Sequence, residues 1–512
     1  MTKALSLIIA ATLFLSLFRL GNAPLFDVDE AVFAEATREM VGSGNWITPT
    51  YNEKNRYDKP ILFYWLMAAS YKAFGINEFG ARFPSALASF LLVLSIFLFA
   101  RRLRGEKAAL YAAGSSALSV YFLVYSHAAV TDITLTLFIT LSLFSFFLSI
   151  TGDPGKNSPY QYGFYLFSSL AFLTKGLIGI LFPFSVAIIY TTATEGWRGA
   201  KRCFNPKGLL LFTAIAAPWY TAQVAINGRE FIEQFFLKHH FRRFTGVISG
   251  HKAPIYYYIP VLLIGMFPWV AFLPSGIRDA WKGKRGVQFF ALIWLAFIFV
   301  FFSLSVTKLP NYILPAMPAA ALLIASGMTE KDIRRQRYSH IIMASLAAVL
   351  SAALLISGIF FSRKFSADTQ WIFLAAAVVA MMTIPALSAI FQRKTLFVPV
   401  SCLMAAFLLV LLARGVPAAG AYIQGTLYKY SLHARAESQS GAAVIAYRMN
   451  NPSIAFYSGQ KKTDVRSKDE LLNVLSVSGK AVAIAKTKDI GTLEESGFHI
   501  LEREGKYAIL ER

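Results

Sequence analysis

"DEAVFAEATREMVGSGNWITPTYNEKNRYDKPILFYW", residues 29–65, lies directly after the first apolar run of the chain and decides how the rest is interpreted. It opens with two adjacent carboxylates, Asp29 and Glu30. A helical pattern of apolar residues follows, and Gly42 and Gly44 close it. The stretch therefore predicts a helix that begins with acidic groups, in a segment that only has to connect two apolar runs.

The apolar runs around this stretch define the class of protein. Of 512 residues, 56% are hydrophobic and only 15% are charged, with a mean hydropathy of +0.51. Runs of roughly 17 to 22 apolar residues recur, and each is long enough to cross a hydrocarbon core. The sequence predicts an α-helical polytopic membrane protein.

Hydropathy places about 13 transmembrane helices and leaves one long external loop, 21–79. The short apolar segment 60–74 is interpreted as a helix that lies in the membrane interface. The predicted spans are 4–20, 80–100, 108–126, 132–150, 160–174, 177–193, 208–225, 257–275, 288–306, 312–328, 340–361, 371–391 and 396–413.

Charge sets the predicted orientation. Five loops carry 18 Lys and Arg residues between them, and basic loops favour the cytoplasmic side. An inner-membrane protein with a cytoplasmic N-terminus and an external C-terminus follows. The five loops are 101–107, 195–207, 276–285, 330–337 and 392–395.

The net charge of +22 does not indicate nucleic-acid binding, because these basic residues lie in membrane loops rather than in a basic stripe of a soluble domain. The two cysteines, Cys203 and Cys402, lie in a predicted cytoplasmic loop and a predicted span. They indicate neither a disulfide framework nor a metal site.

The composition changes near residue 430. Short β-branched runs alternate with turns and with a polar helical stretch, 468–477. The sequence thus predicts a membrane domain over 1–425 and a small external α/β domain over 430–512.

Basic and aromatic residues gather in the predicted external segments. Lys59 precedes Pro60, and Lys175 precedes a glycine between two spans, while Lys308 and Tyr312 follow another span. Taken singly, such lysines usually extend toward the interface, and carboxylates at a helix start usually cap it. Together, cations suit a phosphate and a carboxylate suits proton removal from a hydroxyl. The set points to transfer from a phosphorylated lipid to an alcohol.

Residues 29–65 resemble the first external loop of bacterial aminoarabinose transferase-like enzymes, which belong with the protein O-mannosyltransferases in the GT-C superfamily. The motifs "FLTKGLIGI", "HHFRRF", "HKAPIYYYIPVLLIGMFPW" and "TKLPNYILP" match in order and spacing. The resemblance covers roughly residues 1–330 with specific motifs and extends more loosely beyond. It implies a GT-C fold and an inverting, periplasmic sugar transferase with an undecaprenyl phosphate-linked donor.

The resemblance also implies roles for single residues. Asp29 matches the proposed general base, with Glu30 as a supporting acid, and Lys59 matches a lysine that binds the donor phosphate. Arg243 and Tyr312 match motifs around the lipid phosphate, to which Lys308 and Lys175 are added as further cations. Asp58 and His240 match positions linked to a divalent ion such as Zn, Mg or Mn.

This chain departs from the aminoarabinose enzymes at informative positions. They usually read DETRY where this chain reads "DEAVF", so Val32 and Phe33 replace Arg and Tyr. The acid before Lys59 is Asp58 rather than the usual Glu. These changes alter polar contacts expected near the sugar and the acceptor, and leave the predicted base and phosphate contacts in place.

Several functions remain open at this stage. The first is a glycosyltransferase that modifies lipid A or a similar lipopolysaccharide-type glycolipid. The second is an enzyme like the protein O-mannosyltransferases, acting on protein hydroxyls. A transporter or flippase of lipid-linked sugars would place ionisable groups within the spans, and a non-catalytic scaffold would not need the motifs quoted above.

Overall fold

The structure is a computed structural model that describes residues 3–151, 159–235, 253–330, 332–364, 369–392 and 397–512. Most of these residues are helical. The helices are α1 Lys3–Leu17, α2 Asp29–Ser43, α3 Leu62–Phe74, α4 Glu78–Arg104, α5 Glu106–Ala117, α6 Val120–Ser126, α7 Asp132–Thr151, α8 Pro159–Lys175, α9 Ile178–Glu195, α10 Pro206–Phe231, α11 Tyr258–Gly265, α12 Leu273–Gly283, α13 Gly286–Leu304, α14 Met317–Met328, α15 Ile333–Lys364, α16 Gln370–Met381, α17 Thr383–Gln392, α18 Phe397–Val410, α19 Val416–Ser438, α20 Pro452–Ser458, α21 Lys468–Val477 and α22 Ile490–Glu494.

Short 3₁₀ and π segments join some of these helices, at Trp197–Cys203, Ile255–Tyr257, Trp269–Phe272, Pro310–Ala316, Leu411–Gly415 and Thr487–Asp489. The strands are β1 Thr50–Tyr51, β2 Lys54–Asn55, β3 Ala443–Tyr447, β4 Thr463–Val465, β5 Ala481–Lys486, β6 His499–Glu504 and β7 Tyr507–Glu511.

The polytopic membrane class is confirmed. Within the described residues, 9 helices are long and apolar enough to cross a membrane, or up to 11 if each of two bent helix pairs is one span. Both bent pairs, α5 with α6 and the segment from Ile255 to Gly283, fall on predicted spans. The number of 13 stays a prediction, because α1 and α8 are helical but have only 15 and 17 residues.

The chain forms two compact units, each built from separate pieces of sequence. The membrane-helix unit contains Met1–Phe18, Tyr57–Phe63 and Ser85–Gly415. The loop–sheet unit contains Arg19–Arg56, Tyr64–Pro84 and Val416–Arg512, so most of the first external loop belongs with the C-terminal segment. The predicted domain boundaries, 1–425 for the membrane domain and 430–512 for the external α/β domain, stay a prediction.

Within the membrane-helix unit, α12 and α14 approach each other backbone to backbone. A Cβ atom added at Gly276 would lie 1.9 Å from the carbonyl oxygen of Leu323, and one at Gly327 would lie 2.1 Å from that of Phe272. Small residues permit this close approach. In lipid, where the hydrophobic effect does not drive helices together, such close packing favours helix association. Both glycines are therefore packing residues.

The loop–sheet unit contains the predicted C-terminal α/β fold. Its five-stranded sheet has the order β4-β3-β5-β7-β6, with β3 parallel to β4 and β5, and β7 antiparallel to its neighbours. Side chains alternate between faces: Val444 and Ala446 pack with Tyr430 of α19, whereas Ile445 packs with Leu471 of α21. The polar helix predicted at 468–477 is confirmed as α21.

Helix α2 is also confirmed, and it supports the hairpin that follows. It ends at Gly44, whose φ of 71° is the left-handed conformation that glycine adopts readily. The carboxylate of Glu39 accepts hydrogen bonds from Thr50 Oγ1 and from the backbone amide of Asn52, each 2.6 Å long. These bonds fix strand β1 against the helix that begins at Asp29.

Candidate active site

Asp29 is the first residue of α2, and its side chain is exposed. Val28 occupies the N-cap position without a side-chain cap bond. Among the residues that the structure describes, no hydrogen bond or ion pair of the Asp29 carboxylate is found. Within the described residues, the Asp29 side chain therefore makes no capping hydrogen bond to α2, and it is accessible to a reactant.

Glu30, one residue later, has the opposite environment. Both of its carboxylate oxygens accept from the guanidinium of Arg82, at 3.0 and 2.9 Å, and both side chains are almost fully buried. Arg82 also donates to the carbonyl oxygens of Leu20, Ala23 and Pro24. These contacts hold the chain that leads into α2, and the supporting catalytic role of Glu30 stays a prediction.

Asp27 lies at the centre of a network that reaches the C-terminal part of the chain. Its Oδ1 accepts from the backbone amide of Ser453 at 2.9 Å, and its Oδ2 accepts from Ser453 Oγ at 2.5 Å. Asn451 Nδ2 and Gln424 Nε2 also donate to Oδ2, at 2.9 and 2.8 Å. We call these four residues the Asp27 network. Sequence patterns could not reveal it, because the partners lie about 400 residues away.

Two of the three departures from the aminoarabinose pattern, at Val32 and Phe33, are buried. Val32 is 3% exposed and Phe33 is 4% exposed. The Phe33 ring packs against Tyr64 with a centroid distance of 5.3 Å, and the Arg56 guanidinium lies 5.5 Å from its centroid. Arg56 Nε also donates to the Tyr64 hydroxyl at 2.9 Å. Phe33 lies one helical turn after Asp29, so this aromatic and cationic cluster borders the same face of α2.

A second polar cluster lies in the membrane-helix unit. Lys175 Nζ donates to Asp132 Oδ1 at 2.6 Å, and Asn311 Nδ2 donates to the same oxygen at 3.0 Å. Lys175 Nζ also lies 5.8 Å from the ring centroid of Tyr312. The structure thus brings together two predicted phosphate ligands, Lys175 and Tyr312.

Asp132 is the functional candidate that sequence reasoning missed. It is 5% exposed and begins α7, where a carboxylate interacts favourably with the free amides of the helix start. The signal was present, since a lone acid that opens an apolar span suggests a functional group. Its partners, Lys175 and Asn311, are too distant in sequence for pattern analysis to connect them.

The remaining predicted phosphate ligands have local contacts. Lys308 is 6% exposed, and its ammonium donates to the carbonyl oxygen of Ser305. Lys59 and Asp58 are both half-buried, and Lys59 Nζ donates to the Asp58 carbonyl oxygen at 3.1 Å. Arg243 lies outside the described residues, so its predicted role rests on sequence alone.

The structure describes only one residue of the predicted metal-binding pair, Asp58 and His240. Asp58 supplies a carboxylate, which together with a His nitrogen suits Zn²⁺, but His240 lies outside the described residues. Within the part of the chain that the structure describes, one other group has metal-ligand spacing: His433, Glu437 and Glu511, whose ligand atoms lie within 4.8 Å of one another. His433 Nε2 is already paired with Glu511 Oε1 at 2.7 Å.

Burial shifts the titration of two groups near α2. It raises the pKa of Glu35, an effect that the hydrogen bonds from Arg38 oppose. Burial also raises the pKa of the Tyr457 hydroxyl, with a further contribution from nearby Glu78. The Tyr457 hydroxyl donates to Glu78 and accepts the backbone amide of Leu25.

Several known proteins are similar to this chain. Residues 58–226 match the family described as dolichyl-phosphate-mannose-protein mannosyltransferase. The chain is 33% identical over 376 residues to an undecaprenyl phosphate-alpha-4-amino-4-deoxy-L-arabinose arabinosyl transferase of Proteus mirabilis, covering 71% of this chain and 67% of that protein. It is 35% identical over 310 residues to the enzyme so named in Edwardsiella ictaluri, covering 59% of this chain and 55% of the relative.

The fold has a close structural counterpart. The crystal structure of ArnT from Cupriavidus metallidurans bound to undecaprenyl phosphate superposes with a TM-score of 0.81 and 24% identity, over 99% of this chain and 97% of that one. Fold and motifs together define a GT-C type polytopic membrane protein. The chain belongs to the aminoarabinose transferase-like family within that class. The sequence match spans between about half and two thirds of the length of those two relatives, 55% and 67%.

Proposed function

We propose that this protein is an integral membrane glycosyltransferase that moves a sugar from an undecaprenyl phosphate donor to a lipid A-type glycolipid. Two relatives are named for transfer of 4-amino-4-deoxy-L-arabinose from such a donor. The observation that carries the proposal is the exposed Asp29 carboxylate at the start of α2, which has no partner among the described residues, beside the paired Glu30. A base needs a free lone pair within reach of a proton.

The proposed step is a single displacement with inversion. An acceptor oxygen forms a bond to the anomeric carbon while the bond from that carbon to the lipid phosphate oxygen breaks. The electron pair of the broken bond leaves with undecaprenyl phosphate. Asp29 Oδ takes the proton of an acceptor hydroxyl, or orients an acceptor phosphate that has already lost it.

The leaving phosphate requires cations. Lys175 offers three donors at Nζ and gives one to Asp132, so donors remain for phosphate oxygens. Asp132 also binds Asn311, which fixes the amide beside Lys175. In this proposal Lys175, Tyr312, Lys308, Lys59 and Arg243 bind the donor phosphate.

A divalent ion is part of the proposal only as a ligand of Asp58 and His240. One carboxylate oxygen and one imidazole nitrogen are ligands that Zn²⁺ accepts, and carboxylates also bind Mg²⁺ or Mn²⁺. Such an ion would add positive charge near a phosphate. The displacement described above uses the residues of the chain and no metal-bound group.

We place the protein in the inner membrane, with the N-terminus cytoplasmic and the loop–sheet unit in the periplasm. The 18 Lys and Arg residues of the five basic loops support this orientation. The active face would then meet lipid-linked sugars and lipid A on the periplasmic side.

Purified Asp29→Asn protein tests the proposal. With undecaprenyl phosphate-linked aminoarabinose and lipid A, we expect the turnover number to fall by about 10²-fold or more, since proton transfer contributes about 10² to 10⁴. Glu53→Gln is the matched control, because Glu53 is an exposed acid of the same loop. Near wild-type turnover in Asp29→Asn would contradict the role of Asp29.

A second candidate is transfer to protein hydroxyls. It is favoured by the match of residues 58–226 to the protein mannosyltransferase family and by the loss of Arg and Tyr at Val32 and Phe33. Mass spectrometry of lipid A and of envelope glycoproteins, from cells with and without the gene, separates the two. A mass change on glycoproteins alone would replace the first proposal with the second.

A further inference from the structure

We propose that helix α20 and Gln424 in the N-terminal half of α19, both in the C-terminal part of the chain, position the catalytic carboxylate Asp29 through the Asp27 network. The inference rests on the proposed function, because it concerns the geometry of the base in that reaction. Asp27, Gln424, Asn451 and Ser453 are positioning residues: they act through the backbone that leads into Asp29.

The Asp27 carboxylate is saturated by donors from one region. All four of its hydrogen bonds, between 2.5 and 2.9 Å, come from Gln424, Asn451 and Ser453. Ser453 is the second residue of α20, so its amide is one of the unpaired donors of a helix start. Asp27 therefore caps α20 from a distant part of the chain, which fixes residue 27 to that helix.

A second contact on α20 holds the same segment two residues earlier. The Tyr457 hydroxyl accepts the backbone amide of Leu25 at 2.7 Å and donates to Glu78 at 3.1 Å. Ser453 and Tyr457 are four residues apart and therefore lie on one face of the helix. Leu25 and Asp27 are thus both held by α20, through one backbone and one side-chain contact.

The other side of Asp29 is held as well. Glu30 is paired with Arg82, and its Oε2 also accepts the backbone amide of Phe26 at 3.0 Å. Two saturated carboxylates, Asp27 and Glu30, therefore flank one that has no partner among the described residues. This arrangement leaves Asp29 accessible while restricting its backbone, as catalytic geometry requires.

This inference assigns to the C-terminal segment the role of positioning the residues before Asp29, a role that its own sequence does not indicate. The buried face of α20 is used for contacts to the loop before α2, and all seven of its residues are buried. A domain that served only to bind a partner would not need a saturated hydrogen-bond network directed at residues 25–27. The network predicts that altering residues near 451–457 changes catalysis more than it changes substrate binding.

The test compares Asp27→Asn with wild type and with Asp27→Glu. The amide places a donor where Gln424 and Asn451 already donate, so we expect the turnover number to fall between about 10- and 100-fold. The Michaelis constant for the lipid donor should change less than about twofold. Turnover is calculated per folded enzyme, because a smaller folded fraction would also lower the apparent turnover number at an unchanged Michaelis constant. Asp27→Glu should recover part of the turnover because it restores the carboxylate.

Two further variants keep the test decisive. Gln424→Leu removes one donor at similar volume and replaces Asp27→Asn as the test if that variant folds poorly. We expect its turnover to decrease less than that of Asp27→Asn. Lys461→Ala is the matched control: it breaks an exposed ion pair with Glu53 that joins the same two segments without touching the Asp27 network. Its turnover should equal that of wild type.

Hydrogen exchange supplies a readout that needs no turnover. Backbone amides of residues 25–32 should exchange faster in Asp27→Asn and Gln424→Leu than in Lys461→Ala. Unchanged exchange, or unchanged turnover in an active enzyme, would overturn this inference alone. Absence of transfer by the wild-type protein would instead overturn the proposed function, and with it the base that the network positions.

Discussion

Asp29 and Glu30 are neighbours in the sequence, yet one is exposed and the other forms a buried ion pair. A buried pair contributes little compared with an apolar core, but removal of one partner leaves the other charge unpaired. We expect Glu30→Gln to lower the free energy of unfolding by about 3 kcal/mol, because Arg82 keeps its charge and loses its carboxylate. Thermal unfolding in detergent measures this loss.

The double variant Glu30→Gln, Arg82→Met serves as the control for that prediction. It removes both charges, so it should be less destabilised than the sum of the two single variants. Glu30→Gln protein with wild-type stability would show that the pair, despite its two bonds of 3.0 and 2.9 Å, does not stabilise the loop.

Lys175 carries the donor-phosphate part of the proposal. We expect Lys175→Met to weaken binding of undecaprenyl phosphate about tenfold, equivalent to about 1.4 kcal/mol, because one charged donor is lost. Lys175→Arg keeps the charge and should bind more tightly than Lys175→Met. Lys282→Met is the control, since Lys282 is exposed in a predicted cytoplasmic loop. Titration followed by native mass spectrometry measures each affinity, and equal affinities would exclude Lys175 as a ligand.

Single residues were predictable only where a local motif carried them. Asp29, Lys59 and Lys175 lie in short stretches whose residue types and order are informative in themselves. Asp132 required a contact with Lys175, 43 residues away, and the Asp27 network required contacts across 397 to 426 residues. Such contacts depend on tertiary packing, which periodicity does not encode.

At the scale of elements, helix α2 shows what periodicity and glycine can predict. The helix begins at Asp29 as expected and ends beside Gly44, whose φ is 71°. We expect Gly44→Ala to destabilise the fold by about 1 kcal/mol, because a side chain is strained in that conformation. Gly42 lies within the helix and has open space where a Cβ would be added, so Gly42→Ala should stabilise by roughly 0.5 to 1 kcal/mol.

The stability changes expected for Gly44→Ala and Gly42→Ala have opposite signs, so each variant is the control for the other. Both glycines have open space where a Cβ would be added, so crowding cannot account for a difference between them. Equal unfolding temperatures for the two variants would contradict the conformational argument. The same local logic predicted α21 at 468–477, whereas the approach of α12 and α14 at Gly276 and Gly327 depends on packing and had no local signal.

At the scale of the whole molecule, the sequence predicts the class and leaves the number of crossings open. Hydropathy reports that a segment is apolar, but not whether it spans. Helix α1, with 15 residues, is about 22 Å long at 1.5 Å per residue, against a hydrocarbon core of about 30 Å. The grouping of 19–56 and 64–84 with the C-terminal segment was also beyond sequence patterns, since its contacts are long-range.

The side of the membrane that holds the C-terminus is a prediction from charge and from the parity of the spans. An odd number of crossings, such as the 13 that hydropathy predicts, would separate the two termini, and the positive-inside rule predicts a cytoplasmic N-terminus from the basic loops. We expect alkaline phosphatase fused after Arg512 to be active and green fluorescent protein fused there to be dark. Fusions after Arg104, in a basic loop, should give the reverse. A fluorescent C-terminal fusion would place the C-terminus in the cytoplasm and would require an even number of crossings. Asp29 and the Asp27 network would then both lie on the cytoplasmic side, opposite the undecaprenyl-linked sugars in the periplasm. Such a result would contradict the proposed reaction as well as the orientation.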